Sequence, residues 1–298
     1  MQDPTLPLGL AVSGGPDSVA MLLLAKRAGI AIEVATVDHR LRTASADECA
    51  LVARLCHDLG DECTTLRVDL AAGNLQEEAR NARYRALGKW AEARGLCAVA
   101  TAHHADDQAE TLVMRLNRGS GLSGLAGIRG FATFEGCAVP IIRPLLSFRR
   151  AELREVVASA HAEFAVDPSN ADDRYDRVRI RKALAGADWL DPVAFAQSAA
   201  YLASAERALD SLAEDLWRTK AATEGDTVKV PHTGTMELDG RLVQRAIAEL
   251  GGKAGFGEAA MLLARMERKP AKGNIGGVLI ERSGDLTFCR REPQRKTA

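Results

Sequence analysis

The turn with the clearest chemical potential lies near the start of the chain and reads Ser13-Gly14-Gly15-Pro16-Asp17-Ser18. Glycines let the backbone approach a ligand with no Cβ in the way, and Pro16 lacks only an N–H that the first turn of a helix leaves unpaired. The remaining N–H groups of such a turn point at a bound anion, with the positive end of the helix dipole behind them. The turn therefore predicts a phosphate or pyrophosphate site, and a plain strand-to-helix turn capped by Asp17 or Ser18 is the alternative.

Ionisable residues follow two later apolar runs. Asp38-His39-Arg40 comes directly after one run, and Ala102-His103-His104-Ala105-Asp106-Asp107-Gln108-Ala109-Glu110-Thr111 follows another. If a helix begins near His103, positions 103, 107 and 110 share one face and bring a histidine and two carboxylates together. The alternative is an acidic helix start that the dipole favours, with the histidines in a loop.

The elements that must position these residues alternate along the first hundred residues. Strands are expected at 8–12, 32–37, 62–68 and 97–101, and helices at 19–25, 45–59 and 74–94. This alternation predicts an α/β fold with a doubly wound parallel sheet. Since right-handed crossovers bring the carboxyl ends of the strands to one edge, the turn at 13–18, Asp38 and the 103–110 cluster should meet there.

The rest of the chain is less regular. Five glycines fall within 118–130, which predicts either a mobile loop that closes over a site or an ordinary connector. A hairpin is expected at 131–134 and 137–142, a helix at 150–160 and a turn at 167–170. Asp191-Pro192 predicts a boundary near 186–192, so domains are expected at 1–188 and 189–298. The second should be mostly helical, with helices at 195–220, 242–250 and 258–268 and a closing hairpin at 277–281 and 286–290.

Composition bounds the class of protein. The 298 residues are 47% hydrophobic and 27% charged, with a net charge of −1, which suits a chain with a sizeable core. No run approaches the roughly eighteen apolar residues of a membrane span, and residues 1–7 lack the features of a signal peptide. We therefore expect a cytoplasmic protein that uses no membrane.

Two further distributions bear on function. The six cysteines, at 49, 56, 63, 97, 137 and 289, include no Cys-x-x-Cys pair, which disfavours a zinc ribbon, an iron–sulfur cluster or a redox pair. Residues 241–298 carry twelve Lys or Arg against six Asp or Glu, a surplus of six positive charges. The surplus indicates a polyanionic partner, with a solvated basic surface as the alternative.

The turn at 13–18 resembles the Ser-Gly-Gly-x-Asp-Ser loop of the ATP pyrophosphatase superfamily. Taken together, several motifs over about the first 185 residues resemble the tRNA(Ile)-lysidine synthetase family: the turn itself, residues 38–42, 101–111, 118–127 and Arg143-Pro-Leu-Leu146. The block at 101–127 narrows the resemblance from the superfamily to this family. The neighbouring stretch at 175–182 departs from the family pattern Arg-Asn-x-Ile-Arg, because Val178 stands at the Asn position. The departure puts Arg177 in doubt, whereas Arg181 still matches.

The resemblance implies a fold like that of the adenine nucleotide α hydrolases and an ATP-dependent ligase. In this reaction the C2 oxygen of a cytidine attacks the α-phosphate of ATP, and the amine of lysine then displaces AMP at C2. The partners implied are L-lysine and an isoleucine tRNA whose CAU anticodon carries the cytidine at the wobble position. Mg²⁺ is expected as the cofactor, and a homodimer stays open because the sequence does not give the oligomeric state.

The same resemblance suggests roles for the clustered residues. Asp17 and Asp107 are candidate Mg²⁺ ligands, and Asp107 and Glu110 are candidate anchors or bases for the lysine ammonium. Asp38 would line the nucleotide pocket, and His103 would stabilise charge that develops on an oxygen. Two rival functions are a tRNA thiolation enzyme, which needs paired cysteines, and a regulator that binds ATP without turnover.

Overall fold

The computed structural model describes residues 6–39, 44–68, 75–134, 137–166, 174, 176–268 and 272–292. The chain divides into two compact units, Met1–Tyr201 and Leu202–Ala298. The division falls inside a long helix, α8 (Pro192–Lys220). The domain boundary expected at 186–192 remains a prediction, and the helix before it ends at Ala185.

The first unit is built on a six-stranded sheet. Its strands are β1 (Leu8–Ala11), β2 (Ile32–Asp38), β3 (Cys63–Arg67), β4 (Val99–Ala100), β5 (Phe131–Phe134) and β6 (Cys137–Ile142). They lie in the order β3-β2-β1-β4-β6-β5. All neighbours are parallel except β5, which pairs antiparallel with β6. The helices are α1 (Pro16–Arg27), α2 (Ala44–Asp58), α3 (Leu75–Arg94), α4 (Ala105–Asn117), α5 (Leu122–Leu125), α6 (Arg150–Ser159) and α7 (Asp176–Ala185).

Central strand β1 shows why the sheet is covered on both faces. Successive side chains of a strand point to opposite faces, and here Leu10 and Val12 join one apolar cluster while Ala11 joins another. The first cluster includes α1 and α6 residues, and the second includes α3 residues. This arrangement confirms the predicted doubly wound α/β sheet and sets the carboxyl ends of five parallel strands along one edge.

One local expectation is corrected. Helix α4 begins at Ala105 rather than near His103. The segment 118–130, expected as a loop or a connector, contains the short helix α5. The side chain of Gln108 holds the chain after α5 through hydrogen bonds to both the N–H and the carbonyl of Ile128. The turns expected at 135–136 and 167–170 lie outside the described residues.

The second unit combines helices with a second sheet. Beyond α8 it contains β7 (Ala222–Glu224), β8 (Thr227–Pro231), α9 (Met236–Glu249), α10 (Phe256–Arg268), β9 (Lys272–Ile275), β10 (Val278–Ser283) and β11 (Leu286–Arg291). The three expected helices and the closing hairpin are present, and β7, β8 and β9 extend the hairpin into an antiparallel sheet of order β7-β8-β11-β10-β9. Helices α9 and α10 pack on this sheet through a shared apolar cluster. None of the helices in the described part of the chain is long and apolar enough to cross a membrane.

Candidate active site

The turn at 13–18 joins β1 to α1 as the sequence predicts. Gly15 is the residue before the helix, and no side chain caps that end. The Ser18 hydroxyl instead donates to the Gly15 carbonyl at 2.9 Å and accepts from the Ser13 N–H at 3.2 Å. These bonds fold the turn over the start of the helix, whose first N–H groups have no intrahelical partners. We call residues 13–18 in this arrangement the nest.

Gly14 shows why the nest needs glycine. Its φ is +87°, in a region that side chains with a Cβ rarely adopt. Its carbonyl accepts a hydrogen bond from the N–H of Ala165 at 2.9 Å, which ties the chain after α6 to the turn. The shape of the nest is therefore fixed by the backbone conformation of Gly14 and by its hydrogen bond with Ala165.

His104 connects the nest to α4. It is fully buried and caps the helix, because its Nδ1 accepts from the Asp107 N–H at 3.4 Å while the Asp107 carboxylate accepts from the His104 N–H at 3.1 Å. With Nδ1 as acceptor, Nε2 carries the proton of the neutral ring and faces Asp17 Oδ2 at 3.4 Å. Arg150 Nε, also 3.4 Å from Nε2, is then a neighbour rather than a donor to that atom.

Asp17 is ionised as a result of these contacts. Burial acts to raise the pKa of its carboxyl, but the hydrogen bond with His104 and the charges of Arg150 and Arg154 outweigh burial, so the pKa is lowered. Its Oδ1 atom is buried and has no hydrogen-bond partner among the described residues. An unpartnered carboxylate oxygen at the helix end of the nest is available to a ligand.

Glu110 lies at the centre of a cluster of arginines. Its side chain is only 2% exposed. Arg181 Nε donates to its Oε1 at 2.7 Å, Arg177 Nε to its Oε2 at 2.7 Å, and Arg150 Nη2 to its Oε1 at 3.1 Å. Arg177 Nη2 also donates to Asp107 Oδ1 at 2.7 Å. Helices α4, α6 and α7 therefore meet at one buried carboxylate.

The ionisation of Glu110 follows from this cluster. Burial acts to raise its pKa, but the hydrogen bonds and charges of Arg181 and Arg177 dominate and lower the pKa to about 2. A carboxylate with so low a pKa binds protons poorly at neutral pH and is a weak general base. Its negative charge instead holds three guanidinium groups in fixed positions.

His103 does not share the face of Asp107 and Glu110, as the sequence analysis expected, because it precedes the helix. Its Nδ1 lies 3.0 Å from the Thr101 hydroxyl. Burial, followed by the positive charges of Arg143 and other arginines, lowers the pKa of His103 to about 3. The ring is therefore neutral at pH 7, and it can offer a hydrogen bond but no positive charge.

The remaining predicted residue, Asp38, ends β2 beside β1, and its Oδ1 accepts from the Ser45 hydroxyl at 2.8 Å. Residues 40–42 of its motif lie outside the described residues.

Sequence reasoning missed His104 and Arg150 and doubted Arg177. The pattern His104-x-x-Asp107 was a signal for the first, because it matches a helix cap, whereas nothing local marks Arg150.

One cavity of about 450 Å³ borders these groups. It is lined by Ser13, Gly15, Pro16, Asp17, Glu48, Asp107, Arg150, Arg154, Phe164, Ala165, Val166 and Arg181. This volume lies within the range of small-molecule sites. Glu110 is not part of the lining, so of the two candidate lysine anchors only Asp107 reaches the cavity.

The site fits Mg²⁺ through Asp17. This metal is usually held by one or two carboxylates together with substrate phosphates and water, and Asp17 Oδ1 is a buried oxygen without a partner in the described part of the chain. Both oxygens of Asp107 already accept hydrogen bonds, from Arg177 and from the His104 N–H. No group of three or more ligating side chains suited to a metal occurs among the described residues, so any Mg²⁺ would depend on the substrate for most of its ligands.

Comparison with known proteins defines the class first. A family model described as a PP-loop domain matches residues 3–187, the part of the chain that contains the sheet, the nest and the arginine cluster. Among solved structures, the U34-tRNA thiolase NcsA from Methanococcus maripaludis aligns with 70% of this chain and 73% of its own, with a TM-score of 0.54 and 17% sequence identity. That likeness concerns the fold alone.

Relatives of known name define the family more narrowly. The tRNA(Ile)-lysidine synthase of Novosphingobium aromaticivorans is 47% identical, over 98% of this chain and 91% of its own length. The tRNA(Ile)-lysidine synthase of Zymomonas mobilis is 35% identical, over 97% of this chain and 90% of its own length. The chain belongs to the tRNA(Ile)-lysidine synthase family.

Proposed function

We propose that this chain joins L-lysine to C2 of the wobble cytidine in an isoleucine tRNA with a CAU anticodon, with ATP converted to AMP and pyrophosphate. The observation that carries the proposal is that the nest with Asp17, the Asp107 carboxylate and three arginines border one cavity; the arginines are Arg150, Arg154 and Arg181. This combination supplies an anion site, an available carboxylate and cationic groups within reach of one another. Membership of the family supports tRNA and ATP as substrates.

In the first step the triphosphate of ATP lies on the nest, where backbone N–H groups and the dipole of α1 favour negative charge. The C2 oxygen of cytidine attacks the α-phosphate, the bond to the β-phosphate bridging oxygen breaks, and pyrophosphate leaves. Bound Mg²⁺, held through Asp17, would offset the charge of the leaving group. Arg154 lines the cavity and lies close enough for its charge to act on Asp17, so we assign it to the phosphates.

In the second step the lysine amine attacks C2 and AMP leaves with the oxygen. We assign Asp107 to the lysine ammonium, because its carboxylate borders the cavity and carries the negative charge that an ammonium requires. We assign Glu110 to positioning Arg150, Arg177 and Arg181. The ammonium must lose a proton before attack, and Asp107 is the nearer acceptor, since Glu110 is buried beneath these arginines.

The other predicted residues have supporting assignments. Asp38 at the end of β2 lies on the strand next to the nest, where it can line the nucleotide pocket. The neutral ring of His103 can donate a hydrogen bond to an oxygen on which charge develops. Arg181 binds Glu110 and also lines the cavity, so its guanidinium faces both the cluster and the ligand.

We propose that the part of the chain from about residue 189 onward positions tRNA. Its last 58 residues hold the surplus of six positive charges, which suits RNA phosphates. The chemistry is assigned to the domain at 1–188. A homodimer is compatible with this mechanism but is not required by it.

Pyrophosphate release tests the proposed function against its rivals. Pyrophosphate release should require both ATP and the CAU tRNA. AMP from labelled ATP should accumulate only when lysine is added as well. A thiolation enzyme would need a sulfur donor instead of lysine, and no cysteine of the described residues lines the cavity. A regulator would bind ATP with no pyrophosphate released in any mixture, and that outcome would overturn the proposal.

A further inference from the structure

A second group of cations lies at the same edge of the sheet, outside the cluster around Glu110. Arg143 directly follows β6, and His103 follows the adjacent strand β4, whose extension Thr101 donates its N–H to the Ile142 carbonyl at 3.0 Å. Arg83 lies on α3, which packs against β6. We call Arg83 and Arg143 the arginine pair.

Both members of the pair are anchored by their surroundings. Tyr84, next to Arg83, is buried and stacks on Phe134 with ring centroids 4.0 Å apart. Arg143 is only 6% exposed, and its backbone N–H donates to the Gly130 carbonyl at 2.9 Å. The guanidinium groups are therefore carried by rigid parts of the fold rather than by loose surface segments.

The arginine pair lacks the carboxylates that balance the other cluster. Within the described ranges of the chain, no Asp or Glu oxygen lies within 4 Å of a guanidinium nitrogen of either residue. Arg143 Nη1 donates to the Arg129 carbonyl, and its buried Nε has no partner among the described residues. Burying a guanidinium without an anion is costly, and sites that tolerate the cost commonly bind an anionic ligand.

The neighbouring histidines report the same positive environment. Burial lowers the pKa of His39, which follows β2, and the charge of Arg83 lowers it further. The pKa of His103 is lowered to about 3 by burial and by the charges of Arg143 and Arg83. Arg83 thus acts on histidines that follow β2 and β4, the two strands beside β1, and Arg143 acts on the second of these histidines.

We propose that Arg83 and Arg143 bind a backbone phosphate of the RNA strand that presents the target nucleotide to the nest. This inference rests on the proposed function. ATP and the RNA strand are both polyanions and must meet at this edge, and the nest accommodates the triphosphate of ATP alone. Guanidinium groups bind phosphate oxygens in a fixed geometry, so this pair, with Arg143 buried and Arg83 partly buried, would both offset the second charge and fix the position of the nucleotide.

Charge removal at Arg83 tests the phosphate site. Arg83→Gln should weaken equilibrium binding of the CAU tRNA about tenfold or more, as expected for a hydrogen bond between charged groups, and should lower the slope of log affinity against log salt by close to one. ATP affinity should change less than about twofold. Arg85→Gln is the matched control, because Arg85 lies on the same helix but is exposed and should leave tRNA binding unchanged.

The phosphate itself can be neutralised in turn. Two tRNAs are assembled, each with a single methylphosphonate, one on the 5′ side and one on the 3′ side of the wobble nucleotide. One of the two should bind the wild-type chain more weakly than unmodified tRNA does. Arg83→Gln should be insensitive to that same substitution. Arg143→Lys keeps a charge but loses the planar fork, so it should fall between the wild type and Arg83→Gln, with thermal unfolding used to confirm that it folds.

The outcomes separate the site from the function on which it rests. If the wild-type chain neither binds the tRNA nor releases pyrophosphate, the proposed function fails and the phosphate site fails with it. If the wild type is active but Arg83→Gln binds tRNA as tightly, only the phosphate site is wrong. If Arg83→Gln weakens ATP binding and leaves tRNA binding intact, the pair binds the nucleotide triphosphate and the assignment to RNA is overturned.

Discussion

At the scale of single residues, the chemistry of the site depends on which carboxylates keep a free side. Asp17 has one oxygen held by His104 and one without a partner in the described residues, whereas the carboxylate of Glu110 is surrounded by guanidinium groups. Asp107 and Glu110, which lie three residues apart on α4, also have different surroundings. Of these two, only Asp107 reaches the cavity, and so only Asp107 can contact a substrate.

The buried charge of Glu110 makes a prediction about stability. Glu110→Gln should destabilise the fold by about 3–5 kcal/mol at pH 7, because three arginines lose their shared anion. The folded pKa of about 2 lies below the ordinary value of 4.5, so this stabilisation is fully present above pH 4.5 and is lost as the pH falls toward 2. The shift corresponds to about 3 kcal/mol.

Urea unfolding of both proteins at pH 7 and near pH 3 measures this effect. The difference between wild type and variant should shrink as the pH falls, and subtraction removes the contribution of His103, which both proteins share. Equal stability at pH 7 would show that the arginines are solvated well enough to do without the carboxylate.

At the scale of elements, the sequence specifies the alternation of strands and helices better than it specifies where α4 begins. The apolar runs and glycine turn predict β1, the nest and α1, because these signals are local. The start of α4 was misplaced, since a histidine is an uncommon cap and the capping pair His104 and Asp107 reads equally well as two catalytic residues. Arg150 reaches Glu110 from 40 residues away, a contact that depends on how α6 packs.

Strands β7, β8 and β9 were not predicted for a comparable reason. They are three to five residues long, and β7 is exposed throughout. β8 does alternate, with Val228 and Val230 buried, but two apolar residues are too short a pattern to indicate a strand without its partners. All three strands are stabilised by pairing with one another and with the closing hairpin, which did carry a turn signal at Ser283-Gly284. Short strands of this kind are specified by their partners rather than by their own pattern.

The cap of α4 gives a prediction at this scale. His104→Asn should keep the helix cap, since Asn is among the preferred residues there, but its shorter side chain cannot also reach Asp17. We expect the Michaelis constant for ATP to rise about tenfold, a loss on the scale of one hydrogen bond to a charged group. The constant for lysine should change less.

Steady-state kinetics with each substrate varied in turn would show this pattern. His57→Asn is the control, because His57 is 90% exposed near the end of α2. An equal rise for ATP and lysine would mean that His104 supports the whole site and not the nest in particular.

At the scale of the whole molecule, the two units have different charge and different composition of elements. The first carries the buried clusters at the edge of the parallel sheet, and the second carries the basic surplus on a smaller sheet with helices on one face. Adjacent arginines near the end of β11 have separate roles. Arg291 donates to the Leu250 carbonyl at the end of α9, with N to O distances of 2.9 and 3.2 Å, whereas Arg290 is exposed and its guanidinium carbon lies 5.8 Å from the Phe288 ring centre.

These two residues should therefore respond differently to substitution by alanine. Arg290→Ala should reduce the salt dependence of tRNA affinity by about one unit of slope and should change stability by less than about 1 kcal/mol. Arg291→Ala should lower stability by about 1–2 kcal/mol through the lost bonds to Leu250. Salt titrations of tRNA binding and urea unfolding of both variants measure the two effects, and an unchanged slope for Arg290→Ala would make that residue ordinary solvated surface.

Transfer of lysine to RNA tests the central claim most directly. The purified chain is incubated with ATP, Mg²⁺, labelled L-lysine and an isoleucine tRNA with a CAU anticodon, and label bound to the wobble nucleoside is measured after nuclease digestion. We predict about one lysine per tRNA, and none on a transcript with uridine at the wobble position. Asp107→Asn should need a sharply higher lysine concentration but retain its affinity for ATP. Pyrophosphate release in the complete mixture with no lysine transferred to the tRNA would contradict the account.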